Sequence, residues 1–258
     1  MNNQRKNSIE DIKLSNWTWE PFLKKVQNEL KIFKPKPYPI SLEYLDKKSS
    51  LETLKKTIEL KASTWACSTN KFRQVRAACI DAKNLASVFN LLFTPLNNFE
   101  LPFFGADFVT LPNGHLLALD LQPALKSDKE HTEKVWDKLI PIHTKWQSLL
   151  PAGGPIPKDA QEYFSPGFLW TRIPLSSNSD EIIKLVIKPA FDEYLSLYLN
   201  LAKEAEEVDF ERSMFILKGQ KSYMDYRAYK DPARSMLQRF FGNTWTEEYI
   251  KKVLFDLC

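Results

Sequence analysis

Two runs near the middle of the chain, residues 103–111 and 115–121, are mostly apolar at both odd and even positions. A strand with one wet face alternates apolar and polar side chains, so strands of this kind must be covered on both sides. Three shorter strand-like runs precede them at residues 58–65, 72–80 and 87–93, and one more follows at 168–173. A short turn at 68–71 joins the first pair, and Pro112-Asn113-Gly114 joins the two central runs, which makes the sheet a meander of antiparallel neighbours. Helical spacing supplies the covers. Trp19, Phe22, Leu23, Val26, Leu30 and Phe33 fall on one face within 17–33, and further helices are expected at 131–149, 180–206, 213–227, 233–241 and 246–257. The expected fold is α/β, a three-layer α/β/α sandwich with a central, largely antiparallel sheet. Residues 1–16 read as a flexible N-terminal segment and 17–258 as a single domain. Pro35, Pro37 and Pro39 end the first helix, and the polar stretch 41–54 is given no structure.

Several classes of function find no support. Apolar stretches are only a few residues long, far short of the ~20 needed to cross a bilayer, and no apolar signal-peptide core follows the opening Met-Asn-Asn-Gln-Arg-Lys-Asn. The cysteines Cys67, Cys79 and Cys258 are odd in number and scattered, which suits ordinary thiols in a reducing compartment. Three histidines, with neither Cys-x-x-Cys nor His-Glu-x-x-His spacing, give no basis for a metal site. Seven glycines form neither a dinucleotide fingerprint nor a phosphate loop. Any redox chemistry then needs electrons from elsewhere. The net charge of +4 comes with dispersed lysines, which suit an acidic protein partner, an anionic ligand, or simply a solvated surface. Nucleic acid is not expected, because no dense arginine run interleaved with aromatics occurs.

Against this background a few polar residues stand out. Asp107 lies among apolar and small neighbours in Leu101-Pro-Phe-Phe-Gly-Ala-Asp-Phe-Val-Thr-Leu111. It is either a carboxylate bonded to backbone at a strand end or an acid kept protonated for chemistry. Asp120 has similar flanks, and bonding to nearby backbone or a cation is the simpler account of it. Asp231, before Pro232 and a periodic apolar run, reads as a helix N-cap with proline at the first helical position, though such a side chain can also face a pocket. Arg227, Arg234 and Arg239 surround it, either as carboxylate-binding forks or as a surface ion-pair array. Arg172 interrupts an aromatic strand and Arg73 and Arg76 sit on another, so a pocket with cationic walls for a flat organic anion is one outcome. Asn90 is a polar group in an apolar strand, where a satisfied core amide is the plain alternative.

Four segments together, Pro102-Phe-Phe-Gly-Ala-Asp-Phe108, Leu117-Ala-Leu-Asp-Leu-Gln-Pro123, Phe164-Ser-Pro-Gly-Phe-Leu-Trp-Thr-Arg172 and Lys230-Asp-Pro-Ala-Arg234, resemble the ferredoxin-dependent bilin reductases. The resemblance runs over nearly the whole chain. Thr64-Trp-Ala-Cys67, Lys71-Phe-Arg-Gln-Val-Arg-Ala-Ala-Cys79, Gly153-Gly-Pro-Ile-Pro157 and Asp225-Tyr-Arg227 are most similar to members that form phycoerythrobilin. The resemblance implies an open-chain tetrapyrrole between the sheet and the C-terminal helices. It implies two-electron reduction of the A-ring diene of 15,16-dihydrobiliverdin to phycoerythrobilin, in single-electron steps, with no bound cofactor and electrons from reduced [2Fe-2S] ferredoxin. Asp107 and Asp231 match the family's proton donors, and Asn90 matches a site that is histidine in the phycocyanobilin-forming members. The acid those members carry in the preceding strand is absent near Ala77 and Ala78, which argues against reduction of the D-ring vinyl group. Arg172, Arg227 and Arg234 are the candidates for the substrate propionates, although Pro232 replaces a family lysine there. Ferredoxin is the implied partner, with substrate handed over by the dihydrobiliverdin-forming reductase, and a monomer in a cyanobacterial cytoplasm or plastid stroma is expected. Two alternatives stay open: a reductase acting on biliverdin itself, and a bilin carrier that needs no proton donor.

Overall fold

The structure, a computed structural model, describes residues 18–54 and 56–256, so the segment 1–16 and Cys258 lie outside the described residues. The described chain opens with α1 (Glu20–Glu29), continued by a 3-10 turn (Leu30–Phe33). After β1 (Lys36–Pro37), α2 (Leu42–Leu45) and β2 (Asp46–Glu52) come the meander strands β3 (Thr57–Ser68), β4 (Phe72–Asp81), β5 (Ser87–Pro95), β6 (Phe103–Leu111) and β7 (Gly114–Gln122). Helices α3 (Lys129–Gln147) and α4 (Lys158–Gln161) separate these from β8 (Leu169–Pro174). Next, α5 (Ser179–Ile182) runs through a π-helical turn (Ile183–Ile187) into α6 (Lys188–Glu204). Last come α7 (Phe210–Tyr229), α8 (Arg234–Phe241) and α9 (Asn243–Tyr249), the last extended by a π-helical turn (Ile250–Leu254).

From β3 to β8 the strands lie in the sheet in their sequence order, all antiparallel, and β1 and β2 share the outer edge of β3. The expected sandwich is the one observed. Strand β2 is the longest of the elements that hydrophobic periodicity missed, the others being β1, α2 and α4. Its sequence, Asp-Lys-Lys-Ser-Ser-Leu-Glu, offers one apolar residue, and the strand is held at the sheet edge by seven-residue pairing with β3. Backbone hydrogen bonds need no apolar side chains, and charge on an edge strand keeps other chains from adding to it.

Parity sorts the residues of the sheet into two cores. Ala77, Cys79, Phe89, Leu91, Phe104, Ala106, Phe108, Leu117, Leu119 and Leu121 pack with α1, α3 and α6 through Trp19, Phe22, Leu139, Phe191, Leu195 and Tyr198. Ala78, Ile80, Val88, Leu92 and Phe103 pack with the C-terminal helices through Tyr223, Met224, Leu237, Phe240 and Tyr249. Both faces are apolar because both are covered, which is why neither parity alternates. Cys67 and Cys79 are free thiols in the first core, and burial pushes the Cys67 thiol up to about 12, so it stays protonated and packs as a small apolar group.

Candidate active site

The second core is interrupted. Between the sheet and α7 lies a cavity of about 560 Å³, within the ~300–1,000 Å³ range of small-molecule sites. Its floor is made by side chains of one parity on five adjacent strands: Arg76 on β4, Asn90 and Leu92 on β5, Gly105 and Asp107 on β6, Ala118, Asp120 and Gln122 on β7, and Trp170 and Arg172 on β8. Tyr223, Tyr226 and Arg227 from α7, followed by Lys230, Pro232 and Phe255, close it from above. Gly105 keeps the floor open. A Cβ there would come within 2.8 Å of Gln122 Oε1, the atom that accepts the Tyr223 hydroxyl.

Flat rings line the side walls. Phe164 stacks on Phe168 with centroids 3.9 Å apart, Phe168 is near-parallel to Trp170 at 6.2 Å, and Tyr163 stacks on Tyr226 at 4.2 Å. Gly153 makes room for this wall, because any side chain there would collide with the Trp170 ring. Such planar surfaces suit a conjugated, flat ligand.

Asp107 sits at the centre of the floor, directly across the ladder from Asn90. Its surroundings are protein except where it opens on the cavity. Burial raises its pKa; a hydrogen bond from Asn90 and the charges of Arg227 and Arg76 oppose that, the Asp231 charge adds to it, and the net shift is upward. The carboxyl therefore holds its proton to higher pH than an ordinary aspartate. Asn90 in turn receives the Arg76 guanidinium on Oδ1 at 2.5 Å. Arg227 is charged despite burial, because Tyr223, Asp231 and Asp107 favour its cation. Arg172 is exposed at the mouth, its guanidinium 5.6 Å from the Trp170 ring.

Two sequence expectations need correction in place. Helix α8 begins at Arg234, with Ala233 as N-cap, so Asp231 is not its cap. Asp231 instead opens the preceding turn, its Oδ1 accepting the Ala233 N–H at 2.7 Å, and it is not among the residues lining the cavity, although Lys230 and Pro232 on either side are. Arg234 does not line the cavity either. Its guanidinium pairs with Glu247 on α9 and donates to Ala228 O, so it locks the C-terminal helices together. The candidates Asn90, Asp107, Arg172 and Arg227 do meet around one space. Sequence reasoning missed the tyrosine and phenylalanine walls and the part played by Arg76; the spacing Phe164, Phe168, Trp170 was the available signal for the first.

Known proteins match this chain in sequence and in fold. The sequence profile described as ferredoxin-dependent bilin reductase covers residues 23–256. The chain belongs to the ferredoxin-dependent bilin reductases. It is 59% identical over 257 residues, the full length of both chains, to the phycoerythrobilin:ferredoxin oxidoreductase of Prochlorococcus marinus strain MIT 9211. It is 56% identical to the enzyme of the same name from Synechococcus sp. strain RCC307, over 100% of this chain and 98% of that one. The crystal structure of tomato phytochromobilin synthase in complex with biliverdin superposes with a TM-score of 0.81 at 26% identity, covering 93% of this chain and 83% of that one. The bilin reductase is thus an oxidoreductase supplied with electrons by ferredoxin. No described helix is long and apolar enough to cross a membrane, and no cluster of three or more metal-ligating side chains occurs among the described residues.

In this bilin reductase Asp120 has a structural task. Both its oxygens accept from Ser165, Oδ2 from the backbone N–H at 2.9 Å and Oδ1 from the hydroxyl, which pins the loop that carries Phe164 and Phe168. Burial lifts its pKa to about 7, against the lowering effect of the Ser165 bonds. Because the folded value lies above the unfolded one of ~3.9, the folded state holds an extra proton between them, and that contribution to stability is lost as pH rises from ~4 to ~7. The variant Asp120→Asn, which can still accept the Ser165 N–H, is expected to gain stability relative to the parent across that window. Urea titrations of both proteins at pH 5 and 8 measure it; a constant difference between them contradicts the assignment.

Proposed function

We propose that this bilin reductase adds two electrons and two protons to the A-ring diene of 15,16-dihydrobiliverdin, giving phycoerythrobilin. Reduced [2Fe-2S] ferredoxin delivers the electrons singly, and carboxylic acids supply the protons. The observation that carries this reading is the placement of Asp107, a half-buried acid with a raised pKa at the centre of the floor, hydrogen-bonded by Asn90. A flat tetrapyrrole between sheet and α7 would lie on Asp107. General acid catalysis needs a donor that is still protonated at working pH, and burial here favours that state. Asp231, on the helix side, is the proposed second donor. Its charge is felt by Asp107, and its neighbours Lys230 and Pro232 line the cavity. The names of the relatives and the neutral amide at position 90 support a phycoerythrobilin product.

Arg227 and Arg172, with Lys230 at the rim, are proposed to hold the two propionates. Arg227→Gln removes a half-buried donor that prefers an anionic partner and is expected to weaken bilin binding ~10- to 100-fold, as loss of a charge-assisted hydrogen bond does. Spectral titration of the bound pigment reads this directly, and unchanged affinity contradicts the assignment. The function itself is tested by anaerobic incubation with reduced ferredoxin and either 15,16-dihydrobiliverdin or biliverdin, with products separated by chromatography. Phycoerythrobilin from the dihydro substrate alone is the expected result. Turnover of biliverdin moves the assignment to a different bilin reductase activity, and tight binding without turnover of either moves it to a carrier.

A further inference from the structure

Three residues on neighbouring strands form a line across the floor. Asn90 is directly opposite Ala78 on β4 and Asp107 on β6, and Arg76 is two residues from Ala78 on the same face, the diagonal neighbour of Asn90. Arg76 is 1% exposed and no carboxylate among the described residues lies within ion-pair distance of it. Its bonds go to neutral oxygens: Nε to Leu254 O at 2.9 Å, and Nη1 to Asn90 O at 3.1 Å and Asn90 Oδ1 at 2.5 Å. Burying an unpaired guanidinium costs more than an apolar residue of the same volume, so stability alone gives little reason for it.

A guanidinium has only donors, so the Asn90 atom it meets must be the carbonyl oxygen. The amide nitrogen then faces the other way, toward Asp107 directly across the ladder. Without Arg76 the amide could present either end. We propose that Arg76 is a positioning residue for proton transfer, holding the Asn90 amide so that its N–H donates to one oxygen of Asp107 and leaves the other to carry the proton toward the cavity. This rests on the reading of Asp107 as a proton donor. The charged and titratable groups facing Asp107 are Arg76 from β4, Arg227 and Tyr223 from α7, and Asp231 from the turn beyond it. Losing Arg76 therefore acts on Asp107 in one direction: a fixed donor and a nearby cation both disappear, and the acid holds its proton more tightly.

The test reads Asp107 without turnover, by infrared titration of its carboxylic acid C=O band in the pigment-free protein, assigned by the band's absence in Asp107→Asn. Asn90→Leu and Arg76→Met are each expected to move the midpoint upward by about one pH unit, the size of one hydrogen bond to a carboxyl. Arg76→Lys, which keeps a cation and a donor for Asn90 Oδ1, restores most of the shift. In Asn90→Leu the further change Arg76→Met adds less than half of what it does alone, since most of its action passes through the amide. Full additivity overturns the proposal, and so does an unmoved midpoint in Asn90→Leu, a variant that leaves the Arg76 bond to Leu254 O in place and decides the matter if Arg76→Met does not fold. Turnover of Asp107→Asn at the parent rate overturns the donor reading, and with it any catalytic use of this line; an unmoved band overturns the positioning alone.

Discussion

Asp107→Asn is expected to lower bilin turnover by ~10²- to 10⁴-fold, the usual contribution of a positioned general acid, while the protein folds and still binds pigment. Asparagine keeps the shape and can still accept a hydrogen bond from Asn90, so the strand pairing between β5 and β6 has no reason to change. Arg172 and Arg227, proposed to bind the propionates, are untouched. What is removed is the proton. The parent enzyme's rate should fall as pH rises through the pKa of Asp107, which burial raises, and this limb should be missing from the variant's residual activity. Rapid mixing with reduced ferredoxin across a pH series gives both numbers. A variant that turns over within a few-fold of the parent, with the same limb, removes Asp107 from the chemistry.

Phe104→Ala should leave that chemistry intact and damage the fold. Phe104 lies three residues before Asp107 on β6 and therefore points to the opposite face, where it is fully buried. Its ring meets Phe93 at 5.3 Å, Tyr198 at 5.4 Å and Phe191 at 5.9 Å, so it joins β5 and β6 to α6. Truncation loses the transfer of a phenyl ring and leaves a cavity that an aromatic cluster on a sheet cannot easily collapse, a cost of ~3–5 kcal/mol. Urea unfolding gives the value from the shift in midpoint. At temperatures where the variant stays folded, its turnover should match the parent. Loss of activity in proportion to Asp107→Asn would mean that the two faces of β6 are not independent.

The contrast between these two residues shows what was legible from sequence. That β6 is a doubly covered strand followed from its apolar parity, and with it the three layers. The edge strand β2 was not legible, because its stability lies in backbone pairing that leaves no hydrophobic pattern. Asn90, Asp107, Arg172 and Arg227 were visible as polar interruptions or through the family resemblance, and they converge. Arg234 was misplaced because arginine density says nothing about partners: Glu247 reaches it only once α8 and α9 pack together. Arg76 could be placed on a strand and read as one cationic wall of a pocket, which it lines, but its bonds to Asn90 could not be read. Those bonds depend on register, and a shift of one residue between β4 and β5 would turn Arg76 to the other face.

The cavity also has a history within the chain. Its floor is built from residues 76–172, which leave the ribosome early and pair with sequence neighbours in a meander, whereas its roof comes from Tyr223 to Phe255. A domain folds as a unit, and this site needs both ends of its chain. The last turn of helix lays Phe255 and Leu254 over Arg76, so the site gains its roof only when the C-terminal end of the chain is in place. A chain cut short before α7 would lack every roof residue from Tyr223 to Phe255, and with them the partners of the second apolar face of the sheet.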